Sequence, residues 1–282
     1  GKDNDKFFYQ YMEIPMKADE NGVALLKVQS ENHILKPLHE VYGVDISEES
    51  IRKAVADHNE ICSIIRQLGD FRKEEKPRIT GYEFAVITLA TYRAPKYLLK
   101  DILTETLEEV KMREPDDKSY RARVLVVGSE GDDPEFIKLI EDTGAYVCAD
   151  RYCFGSLPGR EEIHLSDDGD VLEEIILHYM RTCQCPRYMS QDKVSGRREY
   201  VKQLVEDYHA DGVLYEQLKF CEYWGYERAL ASHIVTNDFG IPSVCVDRQY
   251  TASASGQLRT RVQAFVESLE IKKIQREKGQ AK

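Results

Sequence analysis

The chain has a single tryptophan in 282 residues and no apolar run near the roughly 20 residues that a membrane-spanning helix needs, so no membrane association is expected. It has no basic excess either. Its 39 Lys and Arg are outnumbered by 50 Asp and Glu, for a formal net charge of −11, and non-specific nucleic-acid binding depends on the opposite balance. No nucleic-acid partner is expected, and an anionic ligand would need a locally positive pocket. No dinucleotide fingerprint is present. The turn Gly128-Ser-Glu-Gly131-Asp-Asp133 lacks G-x-G-x-x-G spacing, and its three acids would repel a pyrophosphate. It reads as loop and helix cap, with Ser129 a weak ligand candidate. The seven histidines show no paired metal spacing, and the seven cysteines form no zinc or disulfide framework. Without a secretory leader they read as thiols of a reduced, cytoplasmic chain.

What is present is enough apolar surface for a substantial core: 42% hydrophobic and 10% aromatic residues. In the first part, Ile34, Leu35, Leu38 and Val41 recur at helical spacing. Ser47 can cap a second helix whose stripe is Val55, Ile61, Cys62 and Ile65. Residues 73–78 form a charged loop, a third helix starts at Thr80-Gly81, and a fourth spans about residues 97–110. Residues 1–114 are therefore read as a mostly helical connector region, ended by a polar linker at 114–118.

After the linker the period changes. Val124-Leu-Val-Val-Gly128 is a continuous apolar strand, and Asp133-Pro134-Glu135 opens a helix with a cap, a first-turn proline and an acid. Strands near Val124, Ala145, Gly212 and Ser243 alternate with helices at about 136–142, 171–181, 197–208, 223–235 and 258–271. That alternation predicts an α/β domain over residues 119–273, with a parallel sheet covered by helices on both faces in the Rossmann or flavodoxin manner. Residues 274–282 read as a basic tail.

Cys221 lies in the turn between a predicted strand and helix, where ligands of open α/β sheets collect. A helix N-terminus there favours the thiolate; the plainer reading is a half-buried structural cysteine. Cys62, Cys148 and Cys245 fall in apolar runs and read as core. Cys153 stays open, and Cys183-Gln-Cys185 reads as a loop pair lacking nearby partners for zinc. Small residues at 250–256 before a helix could offer backbone N–H groups to an anion, with Arg259 and Arg261 adding charge; a capped helix with surface arginines is the alternative.

Several stretches together resemble the 2-hydroxyacyl-CoA dehydratase and benzoyl-CoA reductase family: Asp150-Arg-Tyr-Cys-Phe-Gly-Ser156, Tyr215-Glu-Gln-Leu-Lys-Phe-Cys-Glu222 and Ser255-Gly-Gln-Leu-Arg-Thr-Arg261 with its continuation to Glu267. Residues 44–53 with Asn59 look like that family's connector. The resemblance runs over about residues 8–273 and is nearest to the cluster-carrying subunits of ATP-dependent benzoyl-CoA reductases. It implies a 4Fe–4S cluster on cysteines, electrons delivered singly by an ATP-hydrolysing iron–sulfur activator, a homologous second subunit and a CoA thioester substrate. The outcome is either reduction of an aromatic ring or loss of a hydroxyl. Only Cys221 matches a family cysteine ligand, and one thiolate cannot hold a cluster alone. The remaining ligands are expected in an N-terminal α/β domain that these residues do not cover. Tyr152, Phe154, Ser156, Lys219, Trp224, Gln257 and Arg261 are the implied substrate-binding residues, with Phe220 and Tyr223 as further walls. The alternatives are a dehydratase subunit and a non-catalytic scaffold without a cluster.

Overall fold

The structure is a computed structural model that describes residues 9–153, 155, 160–250 and 255–280. Its centre is a parallel sheet of β1 (Ala122–Gly128), β2 (Ala145–Arg151), β3 (Gly212–Leu218) and β4 (Ser243–Arg248), in the order β2-β1-β3-β4. Its strands are continuous apolar runs because side chains on both faces are covered. One face (Val124, Val126, Val147, Leu214) packs on α6 (Pro134–Glu141) and α10 (Ser255–Gln280). The other (Leu125, Val127, Tyr146, Val213) packs on α8 (Gln191–Asp207) and α9 (Glu222–Asn237). The predicted α/β class is borne out.

α8 begins at Gln191, earlier than the predicted 197, and two further boundaries differ for physical reasons. The strand predicted at 145–148 runs on to Arg151, because its ladder with β1 continues to the pair Val127–Arg151. Asp150 and Arg151 therefore belong to a buried strand end, where a loop was expected. The last helix continues through residues 274–278, which are exposed. Among the described residues no helix is long and apolar enough to cross a membrane.

The helical part begins with α1 (Glu20–Ser30), capped by Asp19, whose carboxylate accepts the Gly22 N–H at 2.9 Å. A π-helical turn, Glu31–Leu35, carries it into α2 (Lys36–Tyr42), which ends at Gly43 in the left-handed region. The consecutive Val23-Ala-Leu-Leu26 presents no single apolar stripe, so periodicity marks only the later part of this element. α3 (Glu48–Asp70) starts at Ser47, whose hydroxyl accepts the Ser50 N–H. α4 (Gly81–Arg93) opens with a reciprocal capping box between Thr80 and Glu83. In α5 (Lys96–Met112), Leu99, Leu103 and Leu107 repeat every four residues and meet Ile61, Ile65, Leu68 and Phe84. α7 (Val171–Thr182) packs Ile176 and Met180 on Val23 of α1. Residues 114–118 lack regular structure, but the Asp116 N–H donates to the Pro77 carbonyl at 3.1 Å.

Two polar contacts, one part-buried and one buried, join the helices to the sheet. The Glu141 carboxylate at the end of α6 accepts the N–H groups of Gly81, Tyr82 and Val147 at 2.9, 3.1 and 3.2 Å, so it caps α4 and pins β2 together. Arg72, in the 3-10 turn Phe71–Lys73 after α3, donates from Nη1 to Asp150 Oδ1 at 2.8 Å. Both side chains are buried, and the guanidinium lies 3.7 Å from the centre of the Phe84 ring. Removing one partner of such a pair strands the other's charge in the interior. Arg72→Met is expected to cost about 3–5 kcal/mol in urea unfolding, whereas Lys100→Met, which breaks the exposed Lys100–Glu60 pair, should leave the midpoint nearly unchanged. Equal effects of the two substitutions would refute the anchoring role.

Candidate functional site

The carboxyl ends of the strands are sealed at their centre. Glu216 of β3 is fully buried and accepts from Ser129 N and Oγ, both at 3.2 Å, and from Arg248 Nε at 2.9 Å. Ser129 Oγ in turn accepts the Leu218 N–H at 2.6 Å, and Arg248 donates to the Glu130 carbonyl. The hydroxyl considered as a ligand is thus consumed in tying β1, β3 and β4 together. Asp133 caps α6 as expected, accepting the Glu135 N–H.

The open space lies to one side, beyond the end of β2. A cavity of about 460 Å³ is bounded by Arg151, Tyr152 and Cys153 from β2 and its exit, by His58 and Tyr92 from α3 and α4, and by Arg160. Tyr179, Cys183, Cys185, Tyr188 and Trp224 complete its wall. This size suits a small organic group, and four tyrosines and a tryptophan stand among the lining residues, with Ile14, Leu26 and Met180 adding aliphatic surface. Gly131 is required here: a Cβ would collide with the Tyr152 ring, so glycine lets the β1–α6 loop pack against that wall. Arg151 is 2% exposed, stands 5.3 Å from the Trp224 ring centre and donates to the Gln184 carbonyl at 2.8 Å. Burial lowers its pKa to about 10, which leaves it charged at neutral pH. Arg160 is 4% exposed, lies 4.5 Å from the Tyr92 ring centre and donates to Thr91 Oγ1 at 2.6 Å.

His58 links this wall to a second group of side chains. Lys96 Nζ sits 2.7 Å from its Nδ1, while Cys62 Sγ and Tyr179 Oη lie 3.2 and 3.3 Å from its Nε2. With the lysine donating to Nδ1, a neutral ring carries its proton on Nε2 and can donate to the thiol or the phenol. Burial, reinforced by Lys96 and Arg160, holds His58 down at about 4.

Of the residues named from sequence, Tyr152 and Trp224 line the cavity together. Phe154 and Ser156 lie outside the described residues. Lys219 is exposed and stacks on Phe220, which is 86% exposed with φ of 76°. Tyr223 also faces outward. Gln257 and Arg261 are exposed on α10, which covers the face of the sheet opposite to α9; Arg261 donates to the Cys245 carbonyl at 2.8 Å. Sequence reasoning missed Arg151, Arg160 and His58. No sequence signal marked Arg151, because the segment after residue 148 reads as a loop and only the ladder with β1 carries it into a buried strand end.

A family model described as the D-component of 2-hydroxyglutaryl-CoA dehydratase matches residues 4–269. The chain belongs to this dehydratase D-component family. It is 25% identical to YjiM of Escherichia coli strain K12, whose name assigns it provisionally as a dehydratase subunit, over 95% of this chain and 72% of that one. It is 23% identical to the (R)-phenyllactyl-CoA dehydratase beta subunit of Clostridium sporogenes, over 89% and 65% of the two chains. It is 20% identical to a subunit of the benzoyl-CoA reductase of Thauera aromatica, over 94% and 68%. The chain thus spans about two thirds of the length of these relatives. The resemblance carried by the strand-end segments is borne out at the level of the family.

Membership raises the question of metal. Cys221 forms the N-cap of α9, with its sulfur making no capping bond. Its thiol lies above the ordinary range: burial outweighs the Trp224 and Tyr223 backbone N–H groups, so the expected preference for thiolate is not what the site provides. Cys185 is likewise pushed up by burial, and its sulfur is close enough to Cys183 and Cys221 to feel their charge. Cys62 and Cys148 are fully buried, as expected, while Cys245 is only half-buried. Among the described residues no three Cys, His, Asp or Glu side chains could together hold a metal ion. A dehydratase-family iron–sulfur cluster does not fit these residues by themselves.

His58 gives this wall a pH signature. Its folded value of about 4 lies below the ordinary 6.5, so between those two values the unfolded chain holds the extra proton and stability falls as pH falls. His58→Gln should flatten urea midpoints measured across that window. Parallel curves for the variant and the unaltered chain would show that the ring is not held neutral.

Proposed function

We propose that the chain is a subunit of a CoA-thioester enzyme whose cavity receives an aromatic acyl group, the first reading being reduction of an aryl-CoA ring of the benzoyl type. The aromatic lining carries this reading: Tyr92, Tyr152, Tyr179, Tyr188 and Trp224 surround about 460 Å³, a volume and surface suited to a single ring. Reduction of such a ring calls for a strongly reducing electron in a water-poor site. A homologous second subunit and an ATP-hydrolysing iron–sulfur activator are the proposed partners. Cys221, at the strand-end turn, is this chain's proposed iron ligand, with the remaining thiolates supplied from outside the described residues.

A second reading, dehydration of a 2-hydroxyacyl-CoA, is favoured by the relative named for (R)-phenyllactyl-CoA, whose acyl group also bears a phenyl ring. Products separate the two. The anoxically assembled complex should convert benzoyl-CoA to a ring-reduced dienoyl thioester on the first reading, or phenyllactyl-CoA to cinnamoyl-CoA on the second; conversion of neither would sink the thioester assignment. Cys221→Ser should lower iron and acid-labile sulfide in that complex, while Cys245→Ser leaves both in place. Unchanged iron in a folded Cys221→Ser complex would remove Cys221 from the ligand set.

A further inference from the structure

We propose that this cavity binds a free carboxylate carried on an aromatic body, with Arg151 and Arg160 as the cations that receive it. The chain as a whole is acidic, at a net charge of −11, and its other buried arginines are matched: Arg72 with Asp150, Arg197 with Glu227 and Arg248 with Glu216. Arg151 and Arg160 are buried to the same degree, at 2% and 4% exposure, yet neither forms a salt bridge with a carboxylate among the described residues, the Glu227 carboxylate nearest Arg151 being bonded to Arg197. No Asp or Glu is among the described residues that line the cavity. Nε of each arginine has no hydrogen-bond partner among the described residues.

A guanidinium cannot shed its charge in a protein, and burying one unpaired is costly. The remedy that the lining offers is an acceptor from outside. The unsatisfied arginine groups are donors only, so the missing group is an anion or a strong acceptor. The planar fork of arginine suits a carboxylate above all. The ring contacts of Arg151 with Trp224 and of Arg160 with Tyr92 place each cation beside an aromatic surface. The ligand that answers both features is an aryl carboxylate. A cavity of about 460 Å³ holds such a group but not a whole CoA. The carboxylate has two possible sources: a free aromatic acid, or a second carboxyl group on the ring of an aryl-CoA whose nucleotide stays outside.

The inference stands on the charge of the cavity and does not require the thioester reading. Calorimetric titration of the full chain with benzoate and with its neutral isostere benzamide tests it directly. Binding of benzoate at least about tenfold tighter than benzamide supports the site with a free acid as ligand. If benzoate shows no binding, 3-carboxybenzoyl-CoA binding at least about tenfold tighter than benzoyl-CoA supports it with a thioester as ligand. The preference should collapse in Arg160→Gln and in Arg151→Met, each checked for an intact fold by its thermal midpoint. Absence of a charge preference in both ligand pairs overturns the proposal, as does a preference that survives undiminished in both folded variants. Failure of the thioester pair alone, with benzoate still preferred, would count against the CoA reading and leave the carboxylate site standing.

Discussion

The buried ion pair between Arg72 and Asp150 fixes where the helical layer meets the end of β2. Asp150 neighbours Arg151, Tyr152 and Cys153, the residues that line the cavity from the sheet side. Arg72 follows α3, which brings His58 from the opposite side. The carbonyl of Arg72 also accepts Nη2 of Arg123 at 2.6 Å, which links the same turn to β1. With Phe84 stacked on the guanidinium, the pair is dry and directional, and α3, α4 and β2 hold one arrangement. The cavity is the space left between surfaces that this contact holds in register.

A second consequence is chemical. Asp150 is spent on Arg72, so it cannot neutralise the adjacent Arg151. Glu216 is spent on Arg248 and Ser129 in the same way, closing the middle of the sheet edge. The strand ends therefore divide into a self-satisfied half around β1, β3 and β4 and an unsatisfied half beside β2. In an acidic chain the unsatisfied half is cationic and aromatic, which is where an outside group has most to gain. Cys221 lies at the β3–α9 turn near this boundary, and burial raises its thiol above the ordinary range against the pull of the Trp224 and Tyr223 N–H groups.

Much of the fold was legible from local pattern. Val124 to Val127 and Gly212 to Tyr215 are continuous apolar runs because helices cover both sides of the sheet, and Ser47, Thr80 and Asp133 cap helices where their sequence positions said they would. The beginning of the helical part was not legible, since Val23-Ala-Leu-Leu26 has no helical period of its own. The site was legible only in part. Tyr152 and Trp224, implied by the family resemblance, share the cavity. Arg151 was hidden because the segment after residue 148 reads as a loop, whereas the β1–β2 ladder carries it into a buried strand end. The partner of the adjacent Asp150 is Arg72, 78 positions away, and a pairing across that distance leaves no local trace. Gln257 and Arg261, implied by the family resemblance, lie on α10, which covers the opposite face.

Amide hydrogen exchange on the full chain carrying Asp150→Asn tests the central claim, that one buried ion pair couples the helical layer to the end of β2. Exchange should rise together at residues 71–73 and 150–153, while β3 keeps its protection, because the anchor is removed and the sheet centre is not. Exchange that rises at 150–153 alone, with 71–73 unchanged, would contradict it.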